Sequence, residues 1–195
     1  MSLALEQLRI KSEETRISVV ESTTYVVNTA GAAPDQGYTL VFDFDTPSVV
    51  AEIIVPYQLG EKQALNLTIV AHHKAENTKC TIRVKGVLFD GSSSNFIGKI
   101  IIDKTAQKTV SYLHDDILVV GENTKSHSQP ILQIDANDVR ASHGATTGRI
   151  DEEQVYYLTS RGLSAEDAQN LIIKGFLGTL LDMVKDEKIL KEFNL

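Results

Sequence analysis

From about Ile17 to Ser142 the apolar residues come in short runs rich in valine, isoleucine and threonine. This grain restricts the possible folds more than any other feature. The runs include Ile17–Val20, Val49–Val55, Leu65–Val70, Cys80–Leu88, Ile100–Ile102, Ile117–Val120 and Ile131–Ile134, with Gly, Asn, Asp or Ser between them. β-Branched residues suit a pleated, half-buried surface, and the residues between the runs are turn formers. Leu65, Leu67 and Ile69 alternate with Asn66 and Thr68, and Ile82 and Val84 alternate with Thr81, Arg83 and Lys85. A period of two puts one face of each strand inside and the other outside. Almost no helical pattern interrupts the series, which argues against a doubly wound α/β fold. A sandwich, a barrel and a β-solenoid all satisfy the pattern. No strict short repeat is visible, so a solenoid would be irregular.

The texture changes after His143. Asp151, followed by Gln154 three residues on, forms a capping-box pattern for a helix, with Val155, Leu158 and Tyr156 on its apolar face and Gly162 as its C-cap. Ser164 opens a second helix bearing Ala168, Leu171, Ile172 and Phe176. A third helical stretch is expected through Leu177, Leu180, Leu181 and Val184 to Leu190. The expected division is a β-core over 1–148 and a helical segment over 149–195, with the first fifteen or so residues a short helix or disordered. From Asp151 onward there are nine acidic and five basic residues. Three short amphipathic helices carry more apolar stripe than they can bury among themselves, so the excess must face the core or a partner.

Composition removes several function classes. The chain is 42% hydrophobic and 23% charged, which is globular, and its net charge of −7 with no basic run disfavours nucleic acid and anionic membranes. No apolar run reaches the roughly 18 residues of a membrane helix, and Met1–Arg16 holds no apolar core of signal-peptide length. Cys80 is the single cysteine, so one chain can form no disulfide and no site needing two thiolates. A reducing, cytoplasmic setting fits that usage, and Cys80 reads as a small buried hydrophobe. Phosphate-loop, dinucleotide-binding, zinc-protease and nucleophile-elbow motifs are all absent. The pairs Asp43/Asp45, Asp115/Asp116 and Asp135/Asp138 read as solvated strand edges or turns rather than acid–base pairs. His72 and His73 end a strand on opposite sides and suit structure better than a shared metal. His114 and His127 are expected beside turns, in solvent.

One stretch is far more specific. Ser142-His143-Gly144-Ala145-Thr146-Thr147-Gly148 precedes Asp151-Glu152-Glu153-Gln154-Val155-Tyr156-Tyr157-Leu158 and Ser160-Arg161-Gly162-Leu163-Ser164. Lys85–Leu88, Phe96–Ile100, Ala106–Thr109 and Gln129–Val139 precede it in order. Over roughly residues 65–180 the chain resembles the SufB/SufD family of the SUF iron–sulfur cluster assembly system, and SufD more than SufB. The resemblance implies a right-handed parallel β-helix core with a C-terminal α-helical segment, and a non-catalytic scaffold or interaction subunit rather than an enzyme. It implies a SufC-type ATPase bound through the helical segment, for which Tyr156, Tyr157, Leu158, Arg161, Leu171 and Phe176 are the candidate contacts. It also implies core–core pairing with a SufB-like chain or a second copy, with Ser142, His143, Asp135 and Asp138 as candidates for the interface or cluster site. His143 matches the family's proposed cluster-site histidine, and neutral imidazole is a competent iron ligand. Its bland alternative is a strand-end cap or turn hydrogen bond. No tightly bound cofactor is expected, only a transient iron–sulfur cluster.

Three departures matter. Ala141 stands where SufD-like chains often carry cysteine, Ile117–Gly121 offers no cysteine of the SufB type, and Cys80 falls where the family usually has serine. The chain is also short beside relatives that carry a larger N-terminal region, which suggests a minimal form. Two other functions remain in view. One is a homodimeric scaffold holding a cluster through His143 and carboxylates. The other is a carbohydrate-active β-helix enzyme, which 6% aromatic residues and no tryptophan make a poor fit.

Overall fold

The computed structural model describes residues 3–184 and 186–193. Eleven strands follow one another: β1 (Ala4–Arg9), β2 (Glu14–Ser18), β3 (Thr23–Asn28), β4 (Gly37–Phe44), β5 (Val50–Leu59), β6 (Ala64–His73), β7 (Lys79–Leu88), β8 (Ser93–Ile102), β9 (Val110–Val119), β10 (Lys125–Ile134) and β11 (Arg140–Arg149). The odd strands form one sheet, in the order β1-β3-β5-β7-β9-β11, and the even strands form a second, in the order β10-β8-β6-β4-β2. Every pairing is parallel. The chain therefore crosses from sheet to sheet at each corner and climbs one strand spacing per circuit, a β-solenoid of about five turns. Partners in register lie 29 residues apart for Val50 and Lys79, 31 for Lys79 and Val110, and 30 for Val110 and Arg140. The described residues among the first fifteen are not a short helix, because β1 and the start of β2 fall among them.

Alternation along each strand builds the interior. In β8 the residues Ser94, Phe96, Ile100 and Ile102 are buried while their neighbours are half-exposed. Across the odd sheet, Ile53, Ile82 and Leu113 stack in register and are fully buried. Gly98 faces the same interior from β8, and a Cβ there would collide with Leu113. Cys80 is buried in this core, and burial pushes its thiol above the ordinary range.

The core also contains a histidine. The His73 ring is fully buried and stacks on Phe44, with centroids 4.4 Å apart. Its Nδ1 hydrogen-bonds the Thr78 hydroxyl at 2.8 Å and its Nε2 the Ser111 hydroxyl at 3.0 Å. Both ring nitrogens are thus satisfied in the neutral form. His72 points outward, as the alternation requires, and bridges Asp43 and Asp103.

The helical segment is α1 (Glu152–Ser160), α2 (Ala165–Leu181) and α3 (Glu187–Lys191). Asp151 caps α1 and Ser164 caps α2. Gly162 adopts φ +100° just past the α1 C-cap, Arg161, a conformation that favours glycine. The division into a second and third helix differs from expectation: Leu177 and Leu180 continue α2, and the break comes after Leu181. The buried stripe Ile173, Leu177, Leu180 and Leu181 explains the continuity, because it packs on Val26, Ile54 and Val87 of the odd sheet's outer face. Gly175 and Gly178 are tolerated in a helix held by such packing. Lys85 fastens α2 further: its Nζ donates to the Phe176 carbonyl at 2.9 Å and the Thr179 hydroxyl at 2.7 Å. Beyond α3, Glu192 accepts hydrogen bonds from Arg9, Gln7 and Asn28, so the tail returns to the first coils.

Burial, and secondarily the neighbouring His72, holds His73 down at about 3 from its ordinary 6.5. The unfolded chain therefore binds one more proton than the native one between those values, and stability falls as pH drops from 6.5 toward 3. The slope from this group approaches about 1.4 kcal/mol per pH unit. A His73→Gln variant should be less stable at neutral pH yet show a shallower loss over that window in chemical denaturation. Equal slopes would remove His73 as a source of acid sensitivity.

Candidate functional site at the open end of the solenoid

Each inner coil is covered above and below, but the last is covered on one side only. Strands β10 and β11 are consequently mostly exposed, whereas β8 and β9, one coil further in, show the buried–exposed alternation. Backbone pairing shows which groups are left over. The N–H groups of Arg140 and Ile150 bond to carbonyls of Thr109 and Val119, beside and in β9. Because N–H groups alternate sides along a strand, those of Ala141, His143, Ala145 and Thr147 point away from β9, along an unpaired edge.

The expected site residues separate here. Register pairs His143 with buried Leu113, and Ala141 packs against the core, so Ala141, His143 and Ala145 share the interior-facing side of β11. Ser142 and Gly144 lie on the outer side, where a Cβ on Gly144 would sit 3.9 Å from the exposed His114 ring. Ser142 and His143 therefore serve opposite faces. Asp135 and Asp138 lie in the corner between β10 and β11 with exposed side chains. Backbone bonds hold that corner: the Asp135 N–H donates to the Ile102 carbonyl, and the Lys108 N–H donates to the Asp138 carbonyl. His114 and His127 are exposed as expected, but inside β9 and β10 rather than beside turns.

The carboxylate that the structure brings to the interior face is Asp115. It sits in β9 between Leu113 and Ile117, in register with Ala145, and is 1% exposed. Neither carboxyl oxygen has a hydrogen-bond partner, and the Ser128 hydroxyl of β10 has none either. Burial raises the Asp115 carboxyl to about 6, an effect the nearby Ser128 hydroxyl partly offsets and the Asp116 charge reinforces. Burial pushes the Tyr57 hydroxyl well above its ordinary range, the bond it makes to Ser94 at 2.7 Å partly offsets this, and the Asp115 charge adds to it. Tyr57, Ser94, Asp115 and Ser128 thus put a polar patch inside the lumen, in addition to the group of His73, Thr78 and Ser111. The signal for Asp115 was in the sequence as an aspartate in phase with the apolar positions Leu113, Ile117 and Val119.

The other carboxylate pairs do not form acid–base sites. Asp116 faces outward and accepts from Thr146 at 2.5 Å. Asp43 is met by Lys74 at 2.9 Å and Arg16 at 3.2 Å, and Lys74 also reaches Asp45. Burial raises Asp43, but Lys74 and Arg16 outweigh it and hold the carboxyl below its usual range. Among the described residues, no three His, Cys, Asp or Glu side chains converge on a metal position.

A second exposed feature adjoins this end. Helix α1 has no buried residue; Tyr156 is 75% and Tyr157 57% exposed. The Arg161 guanidinium lies 5.3 Å from the centre of the Tyr157 ring. Leu171 is also exposed and Leu158 half-buried. Phe176 behaves differently from its expected role: it is half-buried against the odd sheet under Lys85, so it anchors the tail instead of projecting outward.

Curated relatives align with this chain. It is 40% identical over 103 residues to the iron–sulfur cluster assembly protein SufD of Escherichia coli, covering 53% of this chain and 24% of that protein. It is 35% identical over 131 residues to SufD of Bacillus subtilis, covering 67% of this chain and 30% of that protein. A SufBD family protein of Mycobacterium leprae is 29% identical over 149 residues, covering 72% and 38% respectively. The chain thus spans well under half the length of these relatives. No described helix is long and apolar enough to cross a membrane. The model of the SufBD core domain of SUF-system iron–sulfur cluster assembly matches residues 11–176, and the chain belongs to that family.

Proposed function

We propose that this protein is a non-catalytic interaction subunit of a cytoplasmic iron–sulfur cluster assembly complex, joining a SufC-type ATPase to a second SufBD chain. The observation that carries the reading is the pairing of two exposed features at one end of a core-family fold. One is the unpaired β11 edge and the other is the uncovered helix α1 that follows it. An open strand edge is a template for another strand. An exposed tyrosine pair beside an arginine has the composition of a binding hot spot. Leu158, Arg161 and Leu171 extend that surface, while Phe176 supports it from beneath. The partner at the edge is a SufB-like chain or a second copy. The reading of a minimal homodimeric cluster scaffold is favoured by one further observation, the exposed position of His143 on the interior-facing side of the open β11 edge.

Changing Tyr156 and Tyr157 together to alanine should weaken binding of the cognate ATPase at least tenfold, about 1.4 kcal/mol, with no change in thermal unfolding. If titration calorimetry finds the affinity unchanged, or a chain truncated after Arg149 binds equally well, the tail is not the contact. Ala145→Pro removes an N–H from the open edge and leaves the bonds to β9 in place. It should reduce core–core association in analytical ultracentrifugation while retaining the native circular dichroism spectrum.

A further inference from the structure

The last coil covers a carboxyl that it does little to satisfy. Neither β10 nor β11 has a buried residue, and in the corner between them only Ala136 is buried. Strand β11 is held chiefly by its backbone ladder to β9. Segments with so few buried apolar contacts open locally, at a fraction of the global unfolding free energy. Asp115 lies beneath this coil, 1% exposed, with no protein hydrogen bond to either carboxyl oxygen. The residues level with it are Val84 on β7 and Ala145 on β11, neither of which has a side-chain donor. From β10 the Ser128 hydroxyl favours the charge in part but forms no bond in this geometry. Asp116, next along β9 and facing outward, opposes ionisation. Lys85, level with Asp116, is turned to α2. Tyr57 of β5 feels the Asp115 charge but bonds Ser94. His143, exposed on the interior-facing side of β11, makes no hydrogen bond to Asp115. Among the described residues, no cation meets this carboxylate.

We propose that the last coil is a pH-dependent latch: β10 and β11 seat firmly on the stack when Asp115 is protonated, and open locally to let water reach the carboxylate when it is ionised. The sign follows from solvation. Burial raises the seated carboxyl to about 6 from its ordinary 3.8. In the opened coil water solvates the carboxylate and the group returns toward its ordinary range. The seated form therefore binds more protons than the opened form between those values, so opening becomes easier as pH rises through them and levels off above 6. His73 has the opposite sign, because its burial lowers stability as pH falls. The interior and the last coil thus respond to acid in opposite directions. Helix α1 follows β11 directly, so an opening of the coil frees the base of that helix as well. The latch belongs to this chain alone and operates whether or not the edge and α1 bind partners.

Amide hydrogen exchange of the full chain, read by NMR and corrected for the intrinsic pH dependence of exchange, tests the latch. The probes are Ser142, Gly144 and Thr146, whose N–H groups point toward β9, compared with Ile69 and Ile82 in inner strands. The β11 probes should be less protected than the inner ones, which marks the opening as local. Their protection should fall at least about tenfold between about pH 4.5 and about pH 7. Asp115→Asn should hold the β11 probes at their acid-side protection throughout that range; Asp115→Ser serves if the amide perturbs folding. His143→Gln should keep the wild-type profile, which separates the carboxyl from the imidazole on the same side of β11. A flat profile in the wild type overturns the proposal. So does a pH dependence that survives in a folded Asp115 variant or disappears in His143→Gln, or equal protection of β11 and the inner strands.

Discussion

In a parallel solenoid each coil completes its neighbour. Backbone N–H and C=O groups of one strand find partners only in the coils before and after it, and each inward side chain is covered by the residue in register one coil away. Ile53, Ile82 and Leu113 are fully buried for this reason and not because of any local property. The arrangement stops at the ends. There the same repeat that buries the middle leaves a row of unpaired backbone groups and an uncovered lumen. The open β11 edge thus needs no added loop or cleft, because it follows from where stacking stops.

This rule explains how the buried polar groups differ. His73 lies deep in the stack and both its nitrogens are satisfied, so it behaves as a core residue that happens to titrate. Asp115 lies one coil from the end and has no partner. Asp115 also has a strand on each side, but the residues level with it are Val84 and Ala145, neither of which has a side-chain donor.

Much of the fold was legible from alternation and turn residues, and the caps at Asp151 and Ser164 were legible from short-range chemistry. The choice among sandwich, barrel and solenoid was not, because the circuit of 29 to 31 residues repeats in geometry without repeating in sequence. Any apolar residue can fill an inward row, and corner lengths vary. The family motifs supplied the missing distinction. Site residues followed the same pattern. His143 attracted notice through its motif, and the register puts it on the interior-facing side of β11. Asp135 and Asp138 attracted notice through their proximity in sequence, but the turn that holds them leaves their carboxyls in solvent. Asp115 needed the phase of β9 and the identity of the open end together. Phe176 looked like free apolar surface until α2 proved continuous and docked on the odd sheet.

The tail starts at the last coil and comes back to the first, where Glu192 meets Arg9 and Asn28. Between these points α2 is pinned at mid-length by Lys85. Helix α1 is therefore the free arm of a lever with its pivot at the middle of the solenoid. A displacement of that lever would reach both ends of the stack, the β11 edge directly and the first coils through the bonds of Glu192 with Arg9, Gln7 and Asn28.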